Sequence, residues 1–395
     1  MRLGWGDALP PIANFDFCNP TRIIFGRGGI AQVDQLVPAG ARVLLTYGGG
    51  SIHRNGVHAA VVAALGPRLA GEFGGIRPNP TCESLLPGLE RIRRTDADFL
   101  LAVGGGSVID ATKFLAAAVR FDGDPWTMVA DGAPIGSALP LGTVLTLPGT
   151  GSEMNHWSVI SRAEPCEKRS FGSPLLAPRF SVLDPEVTYS LPPRQVVNGV
   201  IDAFVHVLEQ YLTYPVDAPL QDRLAESVLL TLIDEGRRTV AEPLDYAARA
   251  NVIWSATLAL NGLLAAGVPE DWASHTIGHE LTALYGLDHA VTLAIVVPAL
   301  LTHQAGSKRA KLLQYGARVW GIVEGSHEAR IAATIVRTRG FFEGFGVATT
   351  LAQHGIGAGA AYLVADRLAA RGVTALGERA GLTIAGVREL LRLAA

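Results

Sequence analysis

Four of the ten histidines in this 395-residue chain, His206, His275, His279 and His289, fall within one stretch of its second half. Asp202 precedes His206 by four residues and His275 precedes His279 by four, so each pair shares one helix face, about one turn apart. On the segment Arg194–Leu212, an apolar arc of Val196, Val197, Val200, Ile201, Phe204, Val205 and Leu208 leaves Asn198, Asp202, His206 and Glu209 as a polar stripe. Taken alone, such a stripe faces solvent. The second pair, on Asp271–Tyr285, and His289 just past a Gly286-Leu287-Asp288 turn point instead to one carboxylate and two or three imidazoles converging between helices. Oxygen and nitrogen donors without thiolate suit a divalent first-row ion such as Fe(II) or Zn(II). Spacing leaves open which of His275 and His279 is a ligand. His279-Glu280 resembles the start of a zincin helix, but position 283 is Ala where the second ligand would stand, which argues against a metalloprotease. His53, His58, His156, His303, His327 and His354 lack comparable partners and read as surface or ordinarily satisfied residues.

Three glycine clusters carry the other chemistry. Ala41–Tyr47 runs into Gly48-Gly49-Gly50-Ser51, Asp98–Val103 into Gly104-Gly105-Gly106-Ser107, and Val144–Pro148 into Gly149-Thr150-Gly151-Ser152. Each reads as a strand followed by a tight turn. Glycine lets backbone N–H groups approach an anion, and a following helix N-terminus adds partial positive charge, so phosphate is the natural ligand. Part of the second signal has a plainer reading, with Ser107 as an N-cap and Asp110 three residues on completing a capping box. Gly-x-Gly-x-x-Gly fails at Ile109, no Gly-Lys pair makes a Walker A loop, and His53 and Ile109 break the serine nucleophile elbow. No Asp or Glu occurs from Ala41 to Gly71 to accept bonds from an NAD 2′-hydroxyl. A 2′-phosphate is tolerated there, received by the N–H groups of Gly48 to Gly50, by Ser51 and by Arg54, which favours NADP(H).

The elements that must position these groups follow from texture. Ala-rich stretches such as Val57–Leu65 and Val108–Val119 separate the strand-and-glycine units, so the first half reads as an α/β domain around a parallel sheet. After Val182-Leu183-Asp184-Pro185 the turns thin out and amphipathic segments follow one another to the C-terminus. The division expected is 1–187, an α/β dinucleotide-binding domain, and 188–395, an all-α metal-binding domain, with the prolines at 185, 192 and 193 marking the connection.

Composition bounds the rest. Hydrophobic residues make up 49% and charged residues 17%, enough apolar surface for a folded core. The apolar run Leu293–Leu301 is broken by Pro298 and falls short of the roughly 18 residues a membrane span needs, so it reads as a buried helix. A formal charge of -3, without a run of five or more like charges, lacks the footprint of a nucleic-acid binder. Three scattered cysteines argue against a disulfide framework, and Met1–Asn14 carries no export signal, so a cytoplasmic location is expected.

The motifs NPTRIIFG (19–26), TYGGGS (46–51), GGGSVIDATK (104–113), TLPGTGSE (146–153), VLDP (182–185), DAFVHVLEQY (202–211) and GHELTALYGLDHA (278–290), seven in order, resemble the iron-containing, or group III, alcohol dehydrogenase family. The likeness runs from about residue 14 to the C-terminus and is strongest to the NADPH-dependent aldehyde reductase and butanol dehydrogenase branch. It implies metal ligands at Asp202, His206, His275 and His289, which settles the choice left open by spacing. It further implies a catalytic or supporting role near the nicotinamide for His279. Cofactor positions implied are Gly48, Gly49 and Ser51 at the adenosine phosphate, Gly104, Gly105, Gly106 and Ser107 at the pyrophosphate, and Asp110 as a further cofactor-binding residue. Thr146 and Leu147 are implied along the ribose and adenine side and Lys168 near the nicotinamide ribose, with Thr150 also cofactor-binding. Ala290 stands where many members have glycine.

The resemblance thus implies hydride transfer between NADP(H) and a short or medium-chain aldehyde/alcohol pair, and a homodimer. Two alternatives are kept: a dehydroquinate-synthase-like lyase using a metal and NAD, and a metal-stabilised binding protein without turnover.

Overall fold

The computed structural model describes residues 9–395; the reading of Met1–Asn14 as lacking an export signal falls mostly outside them. Packing divides the chain into two compact units, one of Cys18–Val200 with Arg238–Asn261, the other of Ile201–Arg237 and Gly262–Ala395 with residues 9–17. This differs from a single division at 187/188 for a physical reason. The proline-marked connection does start a helix, but that helix runs on unbroken, and a later helix returns to pack with the sheet unit.

In the α/β unit the strands are β1 (Arg22–Phe25), β2 (Val43–Tyr47), β3 (Leu69–Phe73), β4 (Phe99–Gly105), β5 (Leu141–Leu147), β6 (Trp157–Arg162), β7 (Glu167–Gly172) and β8 (Phe180–Leu183). Its helices are α1 (Val33–Leu36), α2 (Ser51–Arg54), α3 (Val57–Leu65), α4 (Cys82–Thr95), α5 (Gly106–Ala118) and α6 (Trp126–Ala130). Six strands form a parallel sheet in the order β1-β8-β5-β4-β2-β3, and β6 and β7 make a separate antiparallel hairpin. The central strand β4, FLLAVGG, is apolar almost throughout because helices cover both faces of a parallel sheet. Helix α4 starts where the Thr81 side chain accepts from the Ser84 N–H.

Sheet order places the three glycine turns side by side. They follow β2, β4 and β5, which are consecutive neighbours, and the connection reverses direction between β2 and β4. Open parallel sheets bind ligands at the carboxyl ends of their strands at such a reversal.

The remaining helices are α7 (Pro193–Tyr211), α8 (Pro219–Ala241), α9 (Tyr246–Ala259), α10 (Ala273–Tyr285), α11 (His289–His303), α12 (Arg309–Arg318), α13 (His327–Glu343), α14 (Ala360–Ala370) and α15 (Ile384–Leu393), with one two-residue antiparallel pair, Ala375–Leu376 against Leu382–Thr383. Helix α9 belongs to the sheet unit, where the Thr257 hydroxyl donates to Glu153 Oε1 at 2.6 Å. In the helical unit, Ala273, Ile277 and Leu281 of α10 pack with Ile295, Val296 and Leu300 of α11, Val364 and Leu368 of α14, and Val387 and Leu391 of α15. Helix α11 is apolar on all sides and buried, as Leu293–Leu301 suggested. Phe204 of α7 packs in a tilted contact on Phe341 of α13, ring centroids 4.6 Å apart. No helix among the described residues is long and apolar enough to cross a membrane.

Candidate functional site

The polar stripe of α7 turns inward. Asp202, His206 and Glu209 are each 5–6% exposed, so the solvent-facing reading that the stripe suggests on its own does not hold. Facing it are His275, from the first turn of α10, and His289, the first residue of α11. Three imidazole nitrogens stand around Asp202 Oδ1: His289 Nε2 at 3.8 Å, His206 Nδ1 at 3.9 Å and His275 Nε2 at 4.0 Å. These distances exceed hydrogen bonds. Asp202, His275 and His289 form the tightest group, with one ligand atom of each within 4.8 Å of the others. His206 joins through Nδ1, its ring 4.5 Å from that of His275.

The donor set fits a cation. Asp202 Oδ1 and His206 Nδ1 are buried and make no hydrogen bond, which would cost one to several kcal/mol each without a compensating charge. A divalent ion with bonds of about 2.0–2.2 Å spans the gaps between such atoms. Burial pulls the His206 imidazole down to about 4, so at neutral pH it is uncharged, as a ligand must be. The indole of Trp272 borders the group, 5.3 Å from the His275 ring and 6.2 Å from that of His206. His279 sits one turn beyond His275, with its ring 5.0 Å from His289 and 6.4 Å from His275.

Glu209 of the stripe was given no role in the sequence. Glu209 Oε1 accepts from the Ser274 backbone N–H at 2.6 Å, and Oε2 is hydrogen-bonded to His275 Nδ1. Its place two turns after Asp202, three residues past His206, was the available signal.

In the α/β unit the glycine turns sit as expected at strand ends, but the capping box does not form. Helix α5 is preceded by Gly105 with no side-chain cap, and Asp110 points into the core. There Asp110 Oδ1 accepts from the Ser152 hydroxyl at 2.6 Å and Oδ2 from the Val159 N–H at 3.1 Å. Lys113, wholly buried, donates to Ser152 O at 2.7 Å, Ser152 Oγ at 2.8 Å, Asn155 Oδ1 at 3.1 Å and Trp157 O at 2.7 Å. Burial brings its ammonium down to about 8. This network ties α5 to the stretch that follows β5, so Asp110 acts as scaffold with both oxygens committed. A charged residue inside the apolar run of GGGSVIDATK was its signal in the sequence.

The scaffold brings Thr150 against the second turn: a Cβ at Gly106 would stand 2.5 Å from Thr150 Oγ1, so only glycine fits there. Likewise Gly199 of α7 lies on the Pro148 carbonyl, whose oxygen would be 2.1 Å from an added Cβ. Thr146 and Leu147 end β5. Lys168 is buried on β7 opposite Ser161. At the first turn the tilted rings of His53 and His58 have centroids 4.1 Å apart beside Tyr47, and His58 Nε2 meets Glu72 at 3.1 Å, an ordinarily satisfied pair.

Residues 20–185 match the family model for the iron-containing alcohol dehydrogenases, and 196–394 match the model for the C-terminal part of the same family. The chain belongs to the iron-containing alcohol dehydrogenase family. It is an oxidoreductase of aldehyde/alcohol pairs, and the seven motifs had pointed there. Across 374 residues, 94% of this chain and 97% of the relative, it is 54% identical to the NADPH-dependent aldehyde reductase YqhD of Escherichia coli. The crystal structure of YqhD from E. coli K-12 superposes with a TM-score of 0.96 at 52% identity, covering 98% of this chain and all of the other. That of the NADH-dependent butanol dehydrogenase A of Thermotoga maritima gives 0.93 at 36% identity, over 98% of this chain and all of the other. An alcohol dehydrogenase fold of this kind is the α/β sheet unit and helical unit described above.

Proposed function

We propose that this alcohol dehydrogenase reduces short or medium-chain aldehydes with NADPH, with one divalent ion, Fe(II) or Zn(II), held by Asp202, His206, His275 and His289. The observation that carries the reading is the convergence of three imidazole nitrogens on the unbonded, buried Oδ1 of Asp202 at 3.8–4.0 Å. When bound, the ion supplies Lewis-acid polarisation of a carbonyl oxygen and NADPH supplies the hydride.

The chain's own residues do the rest. Asp202 and His206 are fixed one turn apart on α7, and His275 and His289 at the starts of two helices whose far faces form a common core, so the donors are preorganised. Trp272 narrows access of water to His206 and His275. His279, its ring 5.0 Å from that of His289, would hold a proton for the alcohol hydroxyl that forms. Gly48, Gly49 and Ser51 receive the adenosine 2′-phosphate, Gly104 to Ser107 the pyrophosphate at the start of α5, and Thr146, Leu147 and Thr150 the neighbouring sugar and base. Lys168 orients the nicotinamide ribose, and Asp110 acts through Ser152 by holding the turn. The preference for NADPH rests on the absence of an acidic residue from Ala41 to Gly71. A homodimer in the cytoplasm completes the reading, by family likeness and by the composition.

The test is to assay purified protein for metal and for NADPH or NADH oxidation over an aldehyde panel. Stoichiometric NADPH consumption with one divalent ion per chain, lost on chelation and regained on metal addition, is expected. Turnover without net NADPH consumption would favour the lyase alternative, and unfolding on chelation with no turnover would favour the binding protein.

A further inference from the structure

We infer that Glu209 is a positioning residue for His275, its two carboxylate oxygens fixing which imidazole nitrogen is offered to the metal. This rests on the ligand assignment proposed above. Glu209 lies on the same face of α7 as Asp202, two turns along, and is 5% exposed. Both of its oxygens are engaged by consecutive residues of α10: Oε1 by the Ser274 N–H at 2.6 Å, Oε2 by Nδ1 of His275.

The count of donors and acceptors decides the tautomer. The Ser274 N–H can only donate, and it is one of the first-turn amides of α10 that no carbonyl of the helix itself can satisfy. A carboxylate offers acceptors only. With Glu209 ionised, Oε2 therefore accepts the hydrogen bond from Nδ1–H, and in the neutral ring Nε2 is left with its lone pair. That atom is the one 4.0 Å from Asp202 Oδ1. The backbone adds a second clamp, since the Asp271 N–H donates to the Glu209 carbonyl at 2.8 Å and Asp271 Oδ1 accepts from the Ala273 N–H at 3.0 Å. One helix thus carries Asp202 and His206 and also sets the start, the rotation and the proton of the helix bearing the third donor. Carboxylates bonded to the far nitrogen of a ligating histidine typically contribute 10- to 100-fold in metal affinity.

Glu209→Gln keeps size and shape but offers one oxygen for two donors. If the amide oxygen faces Ser274, the NH2 group meets Nδ1, which must then accept, moving the proton to Nε2 and removing the lone pair. If the oxygen faces His275, two N–H groups oppose each other at Ser274. Glu209→Asp keeps both acceptors on a shorter arm.

Zn(II) affinity of the full-length protein, measured by competition with a chromophoric chelator, is expected to fall 10- to 100-fold in Glu209→Gln and less in Glu209→Asp. Long-range proton–nitrogen correlation on 15N-histidine-labelled, metal-free protein is expected to show His275 protonated at Nδ1 in the parent and shifted toward Nε2 in the Gln variant. Wild-type Zn(II) affinity in Glu209→Gln, equal losses in the two variants, or an unchanged tautomer would overturn the inference while leaving the ligand assignment intact. A parent protein that binds no Zn(II), or an Asp202→Ala variant that binds it fully, would instead remove the ligand assignment.

Discussion

His289 Nε2 stands 3.8 Å from Asp202 Oδ1 across the gap between α11 and α7, too far for a hydrogen bond and close enough for both atoms to hold the same ion. Neither residue has the other as a partner in the ordinary sense. Replacing the carboxylate by an amide of the same shape tests this directly. Asp202→Asn is expected to purify with little or no divalent metal, to keep its far-UV spectrum, and to lose at least about 100-fold in turnover, the equivalent of about 2.7 kcal/mol of transition-state stabilisation. A variant with full metal content and near-parental rate would contradict the site.

Cofactor choice is open to a single substitution. Gly49 has nothing within 4 Å of an added Cβ, and its backbone lies outside the left-handed region, so an aspartate fits there without strain. Its carboxylate would repel a 2′-phosphate and accept bonds from a 2′-hydroxyl. Gly49→Asp is expected to raise KM for NADPH about 10- to 100-fold while improving that for NADH; equal KM values before and after would place the phosphate elsewhere.

Gly199 allows no side chain. An alanine there would meet the Pro148 carbonyl oxygen at 2.1 Å, and backbone cannot rotate out of the way as a long side chain can. Gly199→Ala is expected to lower stability by about 1–3 kcal/mol in urea titration and to weaken NADPH binding by shifting the turn that carries Thr150.

A buried ion cluster predicts a pH effect of definite sign. Lys308 Nζ donates to Asp271 Oδ2 at 2.8 Å, to Glu378 Oε2 at 2.8 Å and to the Leu212 carbonyl at 2.6 Å. Burial first, and then the hydrogen bond with Asp271, push the Glu378 carboxyl from its ordinary 4.5 up to about 8. The folded protein holds this proton where the unfolded chain has released it, so the contribution is fully present below about pH 4.5 and is lost as pH rises through about 8. Glu378→Gln, which cannot release the proton, is expected to remove this slope, making the variant gain on the parent by on the order of 1–2 kcal/mol between pH 5 and 8. Parallel stability curves would show that Glu378 titrates normally.

Much of this was legible in the chain itself. Periodicity marked the stripe Asn198–Asp202–His206–Glu209, and turn chemistry marked three strand ends that prove to be neighbours in the sheet. What periodicity does not carry is direction, because a polar stripe has the same spacing whether it meets water or other polar groups; only His275 and His289, distant in sequence, show which. The capping box failed at Asp110 for a related reason. Its spacing from Ser107 was right, but Ser152 and the Val159 N–H, supplied by later segments, compete for the same carboxylate. Lys113 and Glu209 satisfy partners found 39 and 65 residues away, and no local pattern encodes such pairings.

Helix α9, encoded deep in the helical half, packs with the sheet unit and gives the Thr257 hydroxyl to Glu153. A chimera joined after residue 187 would therefore take the carboxyl from one parent and its hydroxyl from the other. Recombining relatives of this enzyme calls for two junctions flanking residues 238–261, so that the excursion travels with the strands it covers.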